Sequence, residues 1–142
     1  MENRHLCRGK RKDNGEWAVG FYFCMTHPNG RHTHHFIIPL GTDLSLGTPI
    51  EKIQVEVDSD TICWCTGLED KSGKLIWEND IANCMDAECC GYISWNESEA
   101  GFYFDVLLED GRFEEEHIYD YQDCMEVIGN NFDNPELLEV GE

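Results

Sequence analysis

Gly91-Tyr92-Ile93-Ser94-Trp95-Asn96-Glu97-Ser98-Glu99-Ala100-Gly101-Phe102-Tyr103-Phe104-Asp105-Val106-Leu107-Leu108 is the stretch that decides the fold. Two apolar, aromatic runs, 91–95 and 102–108, flank a polar segment at 96–101, which is the pattern of two antiparallel strands joined by a medium loop. Aromatic and β-branched side chains suit a pleated, half-buried surface. Downstream, Glu109-Asp110-Gly111-Arg112 is an Asp-Gly turn, and Met125-Glu126-Val127-Ile128-Gly129 is a last short strand.

Upstream the same grammar repeats. Asp13-Asn14-Gly15 is a turn signal leading into the run Trp17-Ala18-Val19-Gly20-Phe21-Tyr22-Phe23-Cys24. Gly20 inside that run marks a bulge or a close backbone approach. Residues 26–35 read as loop, and Phe36-Ile37-Ile38 is a short run stopped by Pro39. Residues 41–49 read as a second loop, after which Ile53, Val55 and Val57 alternate with Gln54 and Glu56 as in a half-buried strand. Thr61-Ile62-Cys63-Trp64-Cys65 and Leu75-Ile76-Trp77 are β-prone runs on either side of the hairpin connection Asp70-Lys71-Ser72-Gly73-Lys74. Asn134-Pro135-Glu136-Leu137-Leu138 places Asn at an N-cap and Pro at the first helical position, so one helical turn is expected there. Many short strands with turn signals and almost no helical periodicity predict a mainly β protein, a barrel or a sandwich. A loose boundary separates an N-terminal β region, 1–58, from 59–142, the two packing as one unit.

The composition gives 142 residues, 41% hydrophobic with 16 aromatic side chains, ample for a packed core and unlike an acidic disordered chain. No window approaches the roughly 18 consecutive apolar residues of a membrane helix, so no membrane partner is expected. Eight cysteines without a secretory signal are expected as reduced thiols in a cytoplasm.

Charge is the extreme property. Residues 1–31 hold six Lys/Arg against three Asp/Glu, net +3, while residues 75–142 hold only Arg112 against nineteen acids, net −18. So acidic a half repels nucleic acid. Any phosphate contact is confined to the basic arm around Arg4, Arg8, Lys10, Arg11 and Lys12, and is expected to be weak. Pairing of that arm with the acidic half, within one chain or between copies as a homo-oligomer, is the preferred use.

Several segments carry a resemblance. Arg8-Gly9-Lys10 followed by Asn14-Gly15-Glu16-Trp17 and Gly20, then Thr61 with Thr66-Gly67-Leu68-Glu69-Asp70-Lys71-Ser72-Gly73-Lys74, Ile76, Glu78 and Asp80-Ile81, form two ordered blocks. Glu126-Val127-Ile128-Gly129-Asn130 with Asp133-Asn134-Pro135-Glu136-Leu137-Leu138 forms a third. In this order they resemble the YopX family of phage and prophage proteins. The resemblance implies a mostly β structure whose C-terminal region is similar to a small SH3-type barrel, placed in the host bacterial cytoplasm. It implies no reaction and supplies no catalytic or ligand-binding residue. The chain departs from the family pattern at Cys7, at Trp64-Cys65, and at Asn79, where Gly is usual; if that position needs φ > 0, Asn is the non-glycine residue that tolerates it best. Read without the family, the same blocks are turns and core, and a scaffold role is expected for them.

Candidate chemistry is sparse. Cys63, Cys65, Cys84, Cys89 and Cys90 could supply thiolates to tetrahedral zinc, but the C-x-C and C-x4-C-C spacings are not those of a zinc knuckle, and buried cysteine as a small hydrophobe is the expected state. His27 with His32, His34 and His35 could bind a transition metal, His32 and His34 sharing one strand face, yet no neighbouring acid or cysteine completes a ligand set in sequence. An exposed polar loop is expected instead. No nucleophile elbow or phosphate-binding glycine loop appears. The expectation is therefore a non-enzymatic binding or interaction module without a cofactor, its partner a host or phage protein. The rivals are an acidic DNA mimic directed at a host nucleic-acid-binding protein, and a zinc-stabilised protein or metal-dependent enzyme built on the cysteines.

Overall fold

The computed structural model describes residues 3–43, 45 and 47–140. Positions 44 and 46, within the loop expected at 41–49, lie outside the described residues. The chain divides into two compact units, Met1–Trp64 and Cys65–Glu142. Secondary structure is antiparallel strand throughout, with single 3-10 turns between strands, so the chain is mainly β. No described helix is long and apolar enough to cross a membrane.

The first unit is a sheet of β1 (Cys7–Lys10), β2 (Trp17–Thr26), β3 (Thr33–Pro39), β4 (Val55–Glu56) and the start of β5 (Cys63–Glu69), in the order β4-β3-β2-β1-β5. The Asp-Asn-Gly signal makes the β1–β2 turn: Gly15 has φ 74°, and the Asn14 side-chain oxygen accepts from the Glu16 N–H at 2.9 Å. Gly20 is a place of close backbone approach, since a Cβ there would stand 2.0 Å from the Ile38 carbonyl oxygen of the paired strand. Cys7, Ala18, Ile37 and Val57 form the core, with Tyr22, Val55 and Ile62 packed against it.

The stretch 26–35 is not a loop. β2 and β3 stay paired to Thr26↔Thr33, and only 27–32 turns. The polar ends of these strands carry no alternating apolar signal because they project past the core; their register is held by the backbone ladder and by Thr26 and Thr33, whose hydroxyls meet at 2.9 Å.

The second unit continues from β5 with β6 (Leu75–Trp77), β7 (Asp80–Cys84), β8 (Cys89–Asn96), β9 (Gly101–Leu107), β10 (Phe113–His117) and β11 (Met125–Asn130). The far end of β5 pairs with β6 through Cys65↔Trp77 and Glu69↔Leu75. The other five strands form one sheet, β10-β9-β8-β7-β11, in which β8 and β9 pair as the opening stretch requires, with Ile93↔Phe104 and Trp95↔Phe102. That sheet is open, with β10 and β11 as its end strands, so the closed SH3-type barrel implied by the resemblance is not formed by these pairings. Its core is Ile76, Ala82, Cys84, Ile93, Phe104, Val106, Ile118, Met125 and Val127.

Cys84 ends β7 and Cys89 opens β8, directly opposite it. One local expectation turns out differently. Asn134 stands at the N-cap of the 3-10 turn Pro135–Leu138 but makes no side-chain cap bond, because its oxygen accepts from the Asn130 N–H at 3.2 Å.

Candidate functional site

The family-like blocks supply the buried polar residues. Every buried polar or charged residue described, Thr61, Thr66, Asp70, Asp80 and Asn130, belongs to one of them. Each is occupied by backbone. Thr61 Oγ1 accepts from the Lys10 N–H at 2.8 Å and donates to the Asp58 carbonyl at 2.7 Å. Thr66 Oγ1 donates to the Ile76 carbonyl at 2.7 Å and accepts from the Leu68 N–H at 3.1 Å.

Asp70 takes three N–H groups. Its Oδ1 accepts from Ser72 and Lys74, both at 2.9 Å, and its Oδ2 from Val127 at 3.0 Å. Burial alone would raise its pKa, but these donors outweigh it and hold the carboxyl below the ordinary carboxylate range. Asp80 Oδ2 accepts from the Trp77 N–H at 2.8 Å across the two-residue β6–β7 turn, where Asn79 has φ 70°, the left-handed geometry expected for that position. Asn130 Oδ1 accepts from Phe132 and Asp133, both at 2.9 Å. These residues are fasteners for turns, which a buried polar atom must be if it is not to cost its desolvation.

The five cysteines considered for zinc lie on three strands, β5, β7 and β8. In β5 the Cys63 thiol donates to the Thr61 carbonyl at 3.3 Å and the Cys65 sulfur accepts from the Gly67 N–H at 3.4 Å. Cys84 and Cys89 face the core of the second unit, whereas Cys90, the next residue along β8, points to the opposite face. The thiol that joins Cys84 is Cys124, absent from the sequence-based set: both donate to the Tyr121 carbonyl, at 3.6 and 3.3 Å. Burial pushes the Cys84 and Cys89 thiols up, holding them protonated and weak as metal ligands. Among the described residues no group of three or more His, Cys, Asp or Glu is arranged to hold a metal.

The charge asymmetry follows the units. Residues 1–64 hold 7 Lys/Arg and 8 Asp/Glu, net −1, and residues 65–142 hold 3 and 21, net −18. Of the three cations in the second unit, Lys71 pairs with Glu126 at 3.6 Å and Arg112 with Asp110 at 2.6 Å. Edge strand β10 presents Glu114 and Glu115 to solvent with Glu116 half-buried beside them, and Glu97, Glu99, Glu109 and Asp110 are exposed on the adjoining turns. The basic arm is engaged within its own unit. Arg8 and Lys10 lie over the Trp17 ring, 4.7 and 5.4 Å from its centroid, Arg11 pairs with Asp13 at 2.7 Å, and Lys12 pairs with Glu56 at 3.0 Å.

The histidine group that the sequence offered is partly brought together, and it gains an acid that the sequence did not reveal. The β2–β3 hairpin brings His27 and His34 together, Nε2 to Nε2 at 3.1 Å, and β4 brings Glu56 Oε2 to within 3.1 Å of His34 Nδ1. His32 stands edge-on to His27, with ring centroids 5.9 Å apart, and His35 is on the other face, its Nδ1 at 2.6 Å from the Tyr22 hydroxyl. The clustered histidines were the sequence signal; the contribution of Glu56 follows from the pairing of β4 with β3, Phe36↔Glu56, which spacing does not show.

Fold and site together define a two-unit antiparallel β protein with polar fasteners inside and a strongly acidic second unit. It belongs to the YopX family: the family model, described as YopX protein, matches residues 32–139. The chain is similar to protein EF1440 from Enterococcus faecalis, known from a crystal structure, at 24% identity over 94% of this chain and 96% of that one, with a TM-score of 0.49. Comparison with curated proteins gives no match.

Proposed function

We propose that this protein is a non-enzymatic interaction module of the bacterial cytoplasm, encoded by a phage or prophage, whose second unit holds a basic protein partner. The observation that carries the reading is the net charge of −18 on residues 65–142, part of it exposed as Glu114 and Glu115 of β10 and as Glu97, Glu99, Glu109 and Asp110 of the adjoining turns. A few charges suffice to guard a sheet edge against pairing, and this unit carries many more than that. Carboxylates at this density attract a basic surface over a distance of about 10 Å and speed its capture. A groove that ordinarily holds nucleic acid is the kind of surface they match, so occupation of such a groove by mimicry is the sharper form of the same proposal. Residence in a reducing compartment is supported by eight free thiols.

The test is capture from bacterial lysate by the full chain, compared with the triple variant E114Q/E115Q/E116Q. Enrichment of a basic protein that weakens in the variant and with added salt supports the reading. Capture of nothing basic, or capture indifferent to the variant and to salt, overturns it.

A further inference from the structure

We infer that His27 and His34 form a two-nitrogen site for a late first-row divalent cation such as zinc or nickel, with Glu56 as the group that orients it. The geometry carries the inference. Two nitrogens held at the usual distance from a tetrahedral zinc ion lie roughly 3.3 Å apart, and the two Nε2 atoms are already 3.1 Å apart. The carboxylate of Glu56 can only accept at His34 Nδ1, 3.1 Å away, so that nitrogen carries the proton and Nε2 keeps its lone pair towards His27. This is the carboxylate–histidine arrangement that fixes the tautomer and raises the basicity of metal-ligating histidine.

Glu56 is itself held by Lys12 at 3.0 Å, and the His34 ring is stacked on Phe36 with centroids 6.3 Å apart. The orienting groups are therefore set by the sheet. His27 is carried by the turn, whose backbone closes through His27 N–H to the His32 carbonyl at 2.8 Å. Imidazole pairs suit zinc, nickel and copper, and two protein ligands leave the other positions to water or to a ligand brought by a partner.

The experiment is calorimetric titration of the full chain with zinc, alongside cobalt(II) absorption. The expected result is one equivalent of zinc and a cobalt spectrum without the thiolate-to-cobalt charge-transfer band. Affinity should fall at least about tenfold in H27A and in H34A, and about 10- to 100-fold in E56Q, the usual consequence of removing an orienting carboxylate. H117A, which alters a histidine of the other unit, should bind as the unaltered chain does. His27 is exposed on the turn, so H27A keeps the fold and makes the comparison decisive; far-ultraviolet circular dichroism checks it. Affinity unchanged in H27A and H34A, a thiolate charge-transfer band, or no zinc binding overturns the inference.

Discussion

Replacing Asp70 tests the claim that the family-like blocks are fasteners. In Asp70→Ala the N–H groups of Ser72, Lys74 and Val127 lose their acceptor. Val127 is buried, so its N–H bears the full cost of an unsatisfied buried donor, about 1–3 kcal/mol. Ser72 and Lys74 are exposed and can turn to water, so each retains only part of the roughly 1.5–3 kcal/mol of a bond to a charged group. A loss of about 3–4 kcal/mol follows, a large share of the roughly 5–15 kcal/mol that holds a domain. In Asp70→Asn one oxygen still accepts, but the amide nitrogen then meets a donor on one side, and about 2 kcal/mol should go.

The acid side provides a second reading of the same change. Because the folded carboxyl titrates below its ordinary value, its contribution is complete above about pH 4 and is lost as pH falls through the lower folded value. Both variants should lack that part of the acid-side decline. Urea unfolding monitored by tryptophan fluorescence at neutral and acid pH measures both effects. A loss below about 1 kcal/mol in Asp70→Ala, set against the ordinary worth of a single hydrogen bond, would refute the reasoning, as would an unchanged acid-side slope.

Other consequences are as direct. Gly20→Ala must push the β2–β3 pair apart, since its Cβ would fall 2.0 Å from a carbonyl oxygen; a loss of about 3 kcal/mol or more is expected in the same unfolding assay. Tyr22, desolvated by burial and beside the Cys24 side chain, is pushed up to about 12, and Tyr92, Tyr103 and Tyr121 are also raised, so ultraviolet titration should show several late phenolates and the late absorbance should fall by one tyrosine in Tyr22→Phe. Cys24 is exposed whereas Cys84 is fully buried with its thiol held protonated, so iodoacetamide and mass spectrometry should find Cys24 labelled in the native chain and Cys84 only after unfolding.

How far the sequence could be read depended on whether a residue's task was local. The runs at 91–95 and 102–108 alternate because one face of β8 and β9 is core, and Asn79 stands where a turn needs φ > 0; both are local facts. Strand β10 was illegible because Phe113-Glu114-Glu115-Glu116-His117 is an exposed edge with no buried face to imprint a period of two. The extension of β2 and β3 beyond Cys24 and Phe36 was hidden for the same reason. Non-local pairings left no trace at all. Glu56 meets His34 only because β4 pairs with β3 across 22 positions of sequence, and Cys124 joins Cys84 across the core of the second unit. Of the cysteines considered for zinc, Cys89 and Cys90 are consecutive in β8 and so point to opposite faces, a consequence of strand geometry that spacing alone does not display.

Carbodiimide crosslinking in bacterial lysate, which joins carboxylates to lysines at no added length, tests the central claim most directly. The account predicts peptides in which Glu114, Glu115 or Glu116, with Glu97, Glu99 or Asp110, are joined to lysines of a basic protein, and their loss as salt is raised. Crosslinks confined to the first unit, or none to any basic protein, would contradict it.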